Sequence, residues 1–559
     1  MSLSSQLPQS LFCAIIAGDD NDNDNDNDNA DDSYIDDDTL HKELYKFLNQ
    51  LGKRDDVLLL PPDYTRFHSQ AGKITQIISE YYNCIKKKKE SSNDDDNDVV
   101  TPPTSFQIMP ALGTHAPMTK IQIKKMFGTQ LAVLNEERER SSPLLFLEHK
   151  WKTDVVTIGH VPNEMVLTAT NGLVNEPWPA QLNKLVWEKR KILPPNNQAE
   201  LQKQKQEGEP HKSQSQEAEA EAEADALVLS IGQVVPHEVM GMANYNKNLF
   251  VGVGGLEAIN LSHFIGAVYG MENMMGRANN PLRQILNYAS EHFLENKLDL
   301  WYILTVISPK TGKLKGLFIG NTIDCYMKAC ELSMKINFTM LNKSPKRIVV
   351  YLDEDEFHST WLGNKAIYRT RMAIADGGEL IILAPGVCKF GETTEQDSII
   401  RKYGYVGTPK IMNYLKEEKE QQVGNKDNDG AVAHLIHGSS EDRFRITYCP
   451  GPLLNEKDIH QVGFQYGNLE DMLSKYDINT MKDGWNNKNN NYNTSDDDNN
   501  DDDDNEFYFI KNPALGLWAV PDRFEKTDAT KVDDVDSNND ETSSLSPATK
   551  KSKTSSIER

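Results

Sequence analysis

The sequence predicts an α/β protein with two α/β domains, mostly parallel sheets and an active site in the cleft between them. Three observations carry that expectation. Short apolar runs of strand length alternate with helix-like stretches. Polar residues capable of chemistry follow the strands at once, where open parallel sheets place their sites. The 559 residues also exceed what one domain commonly holds.

Taken in order, residues 40–51 read as a short helix. Residues 56–60 (Asp-Val-Leu-Leu-Leu) read as a buried strand stopped by Pro61 and Pro62. Asp63, Tyr64, Thr65 and Arg66 follow directly, then a helix over 71–86. A second strand at 105–110 closes on Gly113-Thr114-His115-Ala116-Pro117, and Thr119 is placed to cap the next helix. Residues 226–230 resume as a strand leading to Pro236-His237. Leu249-Phe250-Val251 looks like a further strand, turned by Gly252, Gly254 and Gly255 into a helix carrying His263. A glycine turn at a helix start is a ready anion cradle, because free N–H groups and the helix dipole face it. It is not a dinucleotide fingerprint, since Glu257 stands where a third glycine would fall.

Further on, 300–308 and 315–319 form a hairpin, 321–335 a helix, and 347–352 and 379–384 strands. Residues 444–449 and 468–476 are the next folded pieces, and 507–510 with 516–520 read as a closing hairpin. The expected division is an acidic disordered tail over 1–39, then a catalytic and cofactor domain over 40–296 with inserts at 87–100 and 187–224. A second α/β domain over 297–483 follows, then an acidic insert over 484–505. A closing segment over 506–524 returns to the first domain, ahead of a disordered tail over 525–559.

The net charge of −24 argues against nucleic acid as a partner, but it is concentrated. The stretches 19–38, 94–98 and 496–504 hold 22 aspartates, leaving the rest close to neutral. Such runs repel themselves and bury no core. Six scattered cysteines without a C-x-x-C pair fit a reducing, cytoplasmic setting better than a zinc site or a disulfide framework. No apolar run approaches the ~20 residues that a membrane span needs.

His237, Lys247 and His263 stand ten and sixteen residues apart. With that spacing the segment resembles the nickel-pincer lactate racemase family, whose corresponding stretch carries His, Lys and His at the same intervals. Two further motifs strengthen the resemblance: Asp-x-Thr-Arg at Asp63, Thr65 and Arg66, and Gly-x-His-x-Pro at Gly113, His115 and Pro117. Lys365 lies twelve residues before Gly377-Gly378, as a substrate-binding lysine does in that family.

The resemblance implies His115 and His237 as the two acid–bases, and Arg66 and Lys365 as substrate-binding groups. It implies a nickel pincer nucleotide, a Ni(II)-pyridinium-3,5-bisthiocarboxylic acid mononucleotide, covalently attached at Lys247 and contacted by Asp63, Tyr64, Thr65 and Arg66. His263 would be the nickel ligand. The implied partners are a small anionic 2-hydroxy acid and the enzymes that mature the cofactor, with no nucleic acid and no membrane.

The chemistry explains those residue types. Inverting C2 requires a hydride acceptor, because a planar 2-keto acid can be attacked from either side. The hydroxyl proton leaves with the hydride, so a base is needed on each face, and imidazole titrates in the right range. Trp361-Leu362 replace the family's Tyr-Gln, and Ala243-Asn244-Tyr245-Asn246 its glycine-rich approach to the lysine. Those departures leave the substrate open between lactate and a larger acid, a sugar acid among them. Two other readings stay open: a nicotinamide-dependent sugar-acid oxidoreductase, and a non-catalytic binding protein that keeps the fold.

Overall fold

The computed structural model describes residues 13–17, 33–86, 102–139, 144–190, 226–420, 429–487, 506–514 and 516–526. The expected inserts at 87–100 and 187–224, the acidic insert at 484–505 and the tail at 525–559 lie outside the described residues except at their edges, where the helix Lys184–Glu188 runs into the second and the helix Pro521–Lys526 into the tail.

Two six-stranded sheets organise the chain. The strands of the first are β1 (Cys13–Ile16), β2 (Asp56–Leu60), β3 (Ser105–Ile108), β4 (Ala226–Gln233), β5 (Asp299–Ile307) and β6 (Leu314–Gly320). Those of the second are β7 (Arg347–Tyr351), β8 (Glu379–Ala384), β9 (Arg445–Pro450), β10 (Gln465–Tyr466), β11 (Gly484–Asn487) and β12 (Glu506–Ile510). Their spatial orders are β1-β6-β5-β4-β2-β3 and β10-β9-β8-β7-β12-β11. Strands β3, β2, β4 and β5 run parallel, as do β10, β9, β8, β7 and β12. Within these two sheets antiparallel pairing involves only the β5–β6, β6–β1 and β12–β11 pairs; two small two-stranded sheets, Val155–Val161 with Trp178–Asn183 and Pro236–His237 with Gly241–Met242, are antiparallel as well. The protein is thus mixed α/β with mostly parallel sheets.

Burial on both faces makes the strands continuously apolar. Val57 and Leu59 of β2 pack with the helices Asp37–Leu51 and Ala71–Tyr81, while Leu58 and Leu60 join the opposite layer with the helix Leu256–Tyr269. Successive residues point to opposite faces, so a sheet covered on both sides needs apolar residues at every position. The second sheet repeats the pattern, with Ile348 and Val350 on one face and Val349 on the other. Each such side chain contributes ~1.5–3 kcal/mol by leaving water.

Several expectations are corrected. Within 1–39, Cys13–Ile16 is a strand, because it covers the open edge of β6. The aspartates near residue 37 start a helix rather than a tail: Asp36 accepts from the Thr39 N–H at 2.8 Å, and Asp37 and Asp38 oppose the helix dipole. Strands β5 and β6, expected beyond a boundary at 297, complete the first sheet through the parallel β4–β5 pairing.

The closing segment is not a hairpin. β12 enters the second sheet between β7 and β11, since Phe507 and Phe509 need cover on one face and Tyr508 and Ile510 on the other. Leu517–Ala519 pairs instead with Phe338–Met340. Leu517, Ala519 and Phe524 still pack on Met271 and Met275 of the first half. Gly484–Asn487, expected inside an insert, is β11. No helix among the described residues is long and apolar enough to cross a membrane. Cys84, Cys325, Cys330, Cys388 and Cys449 are free thiols.

Candidate active site

The segments that leave the C-terminal ends of β2, β3 and β4 meet helices of the second half around a cavity of about 190 Å³. Parallel sheets place their sites at that end.

After β2, a short 3₁₀ turn, Tyr64–Ser69, begins behind Asp63. The turn is kinked at Arg66, whose backbone is not helical (φ −116°, ψ 34°). Asp63, Thr65 and Arg66 line the cavity. Tyr64, expected among the cofactor contacts, turns away, with its ring 5.4 Å from that of Phe67 and against the core.

Asp63 is buried and accepts from the Thr65 hydroxyl at 2.6 Å, while its other oxygen meets His115 Nδ1 at 2.7 Å. Burial opposes its charge, but His115, Thr65 and Arg66 outweigh that and hold the carboxyl below its usual range. An ionised carboxylate can only accept, so His115 carries its proton on Nδ1 and leaves the Nε2 lone pair free. Gly113 makes this turn possible at φ +57°, a left-handed conformation that other residues reach only under strain; its N–H donates to the Gly252 carbonyl at 2.8 Å.

His237 is set the opposite way. Its Nδ1 accepts from the backbone N–H groups of Val239 and Met240, at 3.2 and 3.3 Å. The neutral ring therefore holds its proton on Nε2. Burial pushes its pKa well below the usual value, and Lys247, Arg66 and Arg369 add to this against the pull of Glu238. The two histidines expected as equivalent bases rest as one acceptor and one donor.

Lys247 follows two non-glycine residues in the left-handed region, Asn244 at φ +66° and Tyr245 at φ +60°. Arg283 holds this loop by donating to the Met242 carbonyl at 2.8 Å and to the Asn246 side chain. Its guanidinium lies 4.4 Å from the Tyr326 ring, which also stacks on Tyr245. The expected strand at Leu249-Phe250-Val251 is a π-helical turn, Asn248–Gly252. Asn248 ties it down by donating to the Leu60 carbonyl at 3.0 Å and the Ser230 hydroxyl at 2.9 Å. Lys247 lines the cavity, and burial, with Arg66 nearby, lowers its amine to about 8.

His263 projects from the helix Leu256–Tyr269 with Nδ1 2.7 Å from the Ile259 carbonyl. A carbonyl only accepts, so Nδ1 carries the proton, Nε2 keeps its lone pair, and burial favours the neutral ring. A backbone carbonyl orienting a neutral imidazole is the usual support of a metal-binding histidine. No three His, Cys, Asp or Glu side chains converge to hold a metal among the described residues. One such imidazole suits a metal that brings its other ligands with it.

The glycine turn before this helix is not an anion cradle. Gly254 and Gly255 do not line the cavity; Gln181 accepts from the Ala258 N–H at 3.3 Å and His149 bonds the Gly254 carbonyl at 2.9 Å. The chain's own side chains fill the place.

The facing wall comes from the second half. Lys365 is 9% exposed and its Nζ is 5.6 Å from the centre of the Phe357 ring. Burial, then the nearby Arg66, lowers its amine to about 8. Trp361 and Leu362 lie beside it. Among the lining residues that sequence reasoning missed are Glu238, Tyr368, His434 and His437. Glu238 stays ionised because His237 and Arg369 outweigh the cost of its burial, and the Tyr368 hydroxyl reaches it at 3.5 Å. The one sequence signal for the others was His-x-x-His at 434 and 437, a spacing that puts both rings on one face of a helix.

No protein-family profile matches the chain. The lactate racemase of Thermoanaerobacterium thermosaccharolyticum is 26% identical over 167 residues, which make up 28% of this chain and 36% of that protein. The match thus spans little more than a third of the relative's length. A crystal structure of a protein from Thermotoga maritima aligns with a TM-score of 0.61 at 20% identity, covering 86% of this chain and 98% of that one. The structure of the lactate racemase apoprotein from T. thermosaccharolyticum aligns at 0.52 and 15% identity, covering 86% and 88%. At these identities the structural likeness shows the fold.

Proposed function

With a lactate racemase-like sequence and fold as the premise, we propose that this chain is an isomerase that inverts C2 of a 2-hydroxy acid, lactate-like or larger. It would use a nickel-pincer nucleotide tethered to Lys247, with His263 as the protein's nickel ligand. The observation that carries the reading is the convergence of Arg66, His115, His237, Lys247, His263 and Lys365 on one cavity.

When bound, the cofactor supplies a hydride acceptor beside C2, leaving a planar 2-keto acid open on both faces. The protein's own groups do the rest. Arg66 and Lys365 bind the carboxylate and orient the hydroxyl. His115 Nε2 takes the hydroxyl proton, and Asp63 stabilises the imidazolium that forms. His237 Nε2–H hydrogen-bonds the substrate oxygen on the other side without giving up its proton, and the His115 imidazolium returns the hydroxyl proton when the hydride goes back to carbon. To act there as a base it must first release the two backbone N–H groups at Nδ1 and take its other tautomer. Lys247 presents a large neutral fraction near pH 8, the form that can attack an electrophile. Enzymes that build the nucleotide are the partners this reading requires.

The test uses full-length protein matured with cofactor-synthesising enzymes. Intact mass and peptide mapping should show an adduct on Lys247, and metal analysis one nickel per chain. A 2-deuterated hydroxy acid turned over in ordinary water should yield inverted product that keeps its deuterium, without added NAD. An unmodified Lys247 would sink the tether. Deuterium lost to water would replace hydride transfer by proton abstraction, and a need for NAD would favour an oxidoreductase.

A further inference from the structure

We propose that His437, with the stacked pair His434 and Trp361, recognises the carbon chain of the substrate, and that this chain carries hydroxyl groups. The inference rests on the 2-hydroxy acid reading and names the class of acid within it.

Three observations meet on this wall. His437 is 3% exposed and lines the cavity, yet its Nε2 has no hydrogen-bond partner among the described residues. Buried polar atoms are rarely left unpaired, and one that borders a binding cavity is matched by what enters it. His434 is fixed by its neighbours: its Nε2 meets the Tyr405 hydroxyl at 3.1 Å, which in turn meets the Thr360 hydroxyl at 2.9 Å. Trp361 stacks on that ring at 4.2 Å and 28°. The result is a flat, rigid face with the unpaired His437 nitrogen beside it; Gln233 Nε2 and Glu238 Oε2, elsewhere on the cavity lining, also lack a hydrogen-bond partner among the described residues.

Charge selects among the possible tails. The cations Arg66 and Lys365 hold the carboxylate end of the substrate in this reading. His434 and His437 are both buried, which disfavours a charged ring, so this wall offers no fixed cation to a second carboxylate. A methyl tail, as in lactate, would leave His437 Nε2 unpaired. A hydroxyl can donate to or accept from a neutral imidazole, whichever tautomer it holds. The C–H face of a hydroxylated chain also suits the Trp361–His434 platform. The residues that replace the family's Tyr-Gln, Trp361 and Leu362, stand on this same wall.

The test is calorimetric titration of the full chain, before and after cofactor loading, with lactate, glycerate, erythronate and malate. These acids share the 2-hydroxy carboxylate and differ in the tail: methyl, one hydroxyl, two hydroxyls, a carboxylate. Erythronate and glycerate should bind about 10-fold or more tightly than lactate and malate, the scale of one buried polar group left unpaired or satisfied. His437→Phe should collapse the erythronate-to-lactate ratio to twofold or less, and His437→Gln, which keeps a donor and an acceptor, should restore most of it.

Equal affinity for lactate and erythronate, or tightest binding of malate, overturns the proposal. So does an unchanged ratio in His437→Phe. If that variant does not fold, the wild-type series decides alone. Failure of all four acids to bind would instead overturn the 2-hydroxy acid reading beneath the proposal.

Discussion

The two walls of the cavity are built in different ways. The wall from the first half is a set of short stretches that each follow a strand: Asp63 comes three residues after β2, His115 seven after β3, and His237 four after β4. The sheet fixes where those strands end, so sequence spacing maps directly onto position in the cavity. The wall from the second half is assembled from helix faces. Lys365 and the pair His434 and His437 lie about seventy residues apart and reach one cavity from separate helices. Chemistry attached to strand ends can be read from a motif, whereas chemistry on helix faces has to be found in three dimensions.

If the first wall carries the reaction and the second carries recognition, substitutions should separate them. The largest effect belongs to Lys247. Lys247→Ala should abolish the mass adduct and lower turnover by at least ~1,000-fold, well within what a lost tether can cost. Attachment should also depend on pH with a defined sign. The neutral amine grows as pH rises through the folded value of about 8, so labelling of Lys247 should level off above pH 8–9 rather than climb toward 10.5.

Next come the histidines. His115→Ala should slow turnover by ~100- to 10,000-fold. Asp63→Asn should cost less, since it leaves the ring in place and removes the charge that fixes its tautomer and stabilises its imidazolium. If His115→Ala and His237→Ala slow both directions equally, the acceptor and donor states of the two rings interconvert readily. Unequal losses in the two directions would show that the resting tautomers persist during turnover.

A smaller effect should appear in stability. The folded pKa of Lys365, about 8, lies below its unfolded value near 10.5. The unfolded chain therefore binds more protons between those values. The wild type recovers stability as pH rises from 8 toward 10.5 and carries the full penalty below 8. Lys365→Met should raise the melting temperature at pH 7, by roughly 2–4 °C for each kcal/mol relieved, with an advantage that shrinks by pH 9.5. A lower melting temperature at pH 7 would mean that the amine stabilises the cavity. The smallest effect is expected from deleting 198–223, a stretch too polar to bury a core; calorimetry and turnover should both stay near wild type.

The fold was legible where the physics is local. Thr119 caps its helix with Gln122 as its spacing suggests, and Glu379–Ala384 is the strand its apolar run announces. Legibility failed where burial outranked local preference. Leu249-Phe250-Val251 looks like a strand, yet Asn248 anchors it as a π-helical turn between Leu60 and Ser230. Phe507–Ile510 looks like half of a hairpin, but its two apolar faces drew it into the second sheet. Among the site residues, Tyr64 was misjudged because motif membership says nothing about which side of a 3₁₀ turn a residue occupies. Glu238 passed unnoticed beside His237 because an acidic residue next to a histidine has no distinguishing spacing.

The position of β12 has a consequence for the order in which the protein comes into being. The first sheet is complete by Gly320, whereas β12, the last strand of the second, lies between β7 and β11. Domains generally form from the N-terminus as the chain leaves the ribosome. Lys247 and His263 therefore belong to a half that has all its strands while the facing wall is still being translated. If folding keeps to that order, the wall that carries Lys247 would for that interval be a groove open on one side.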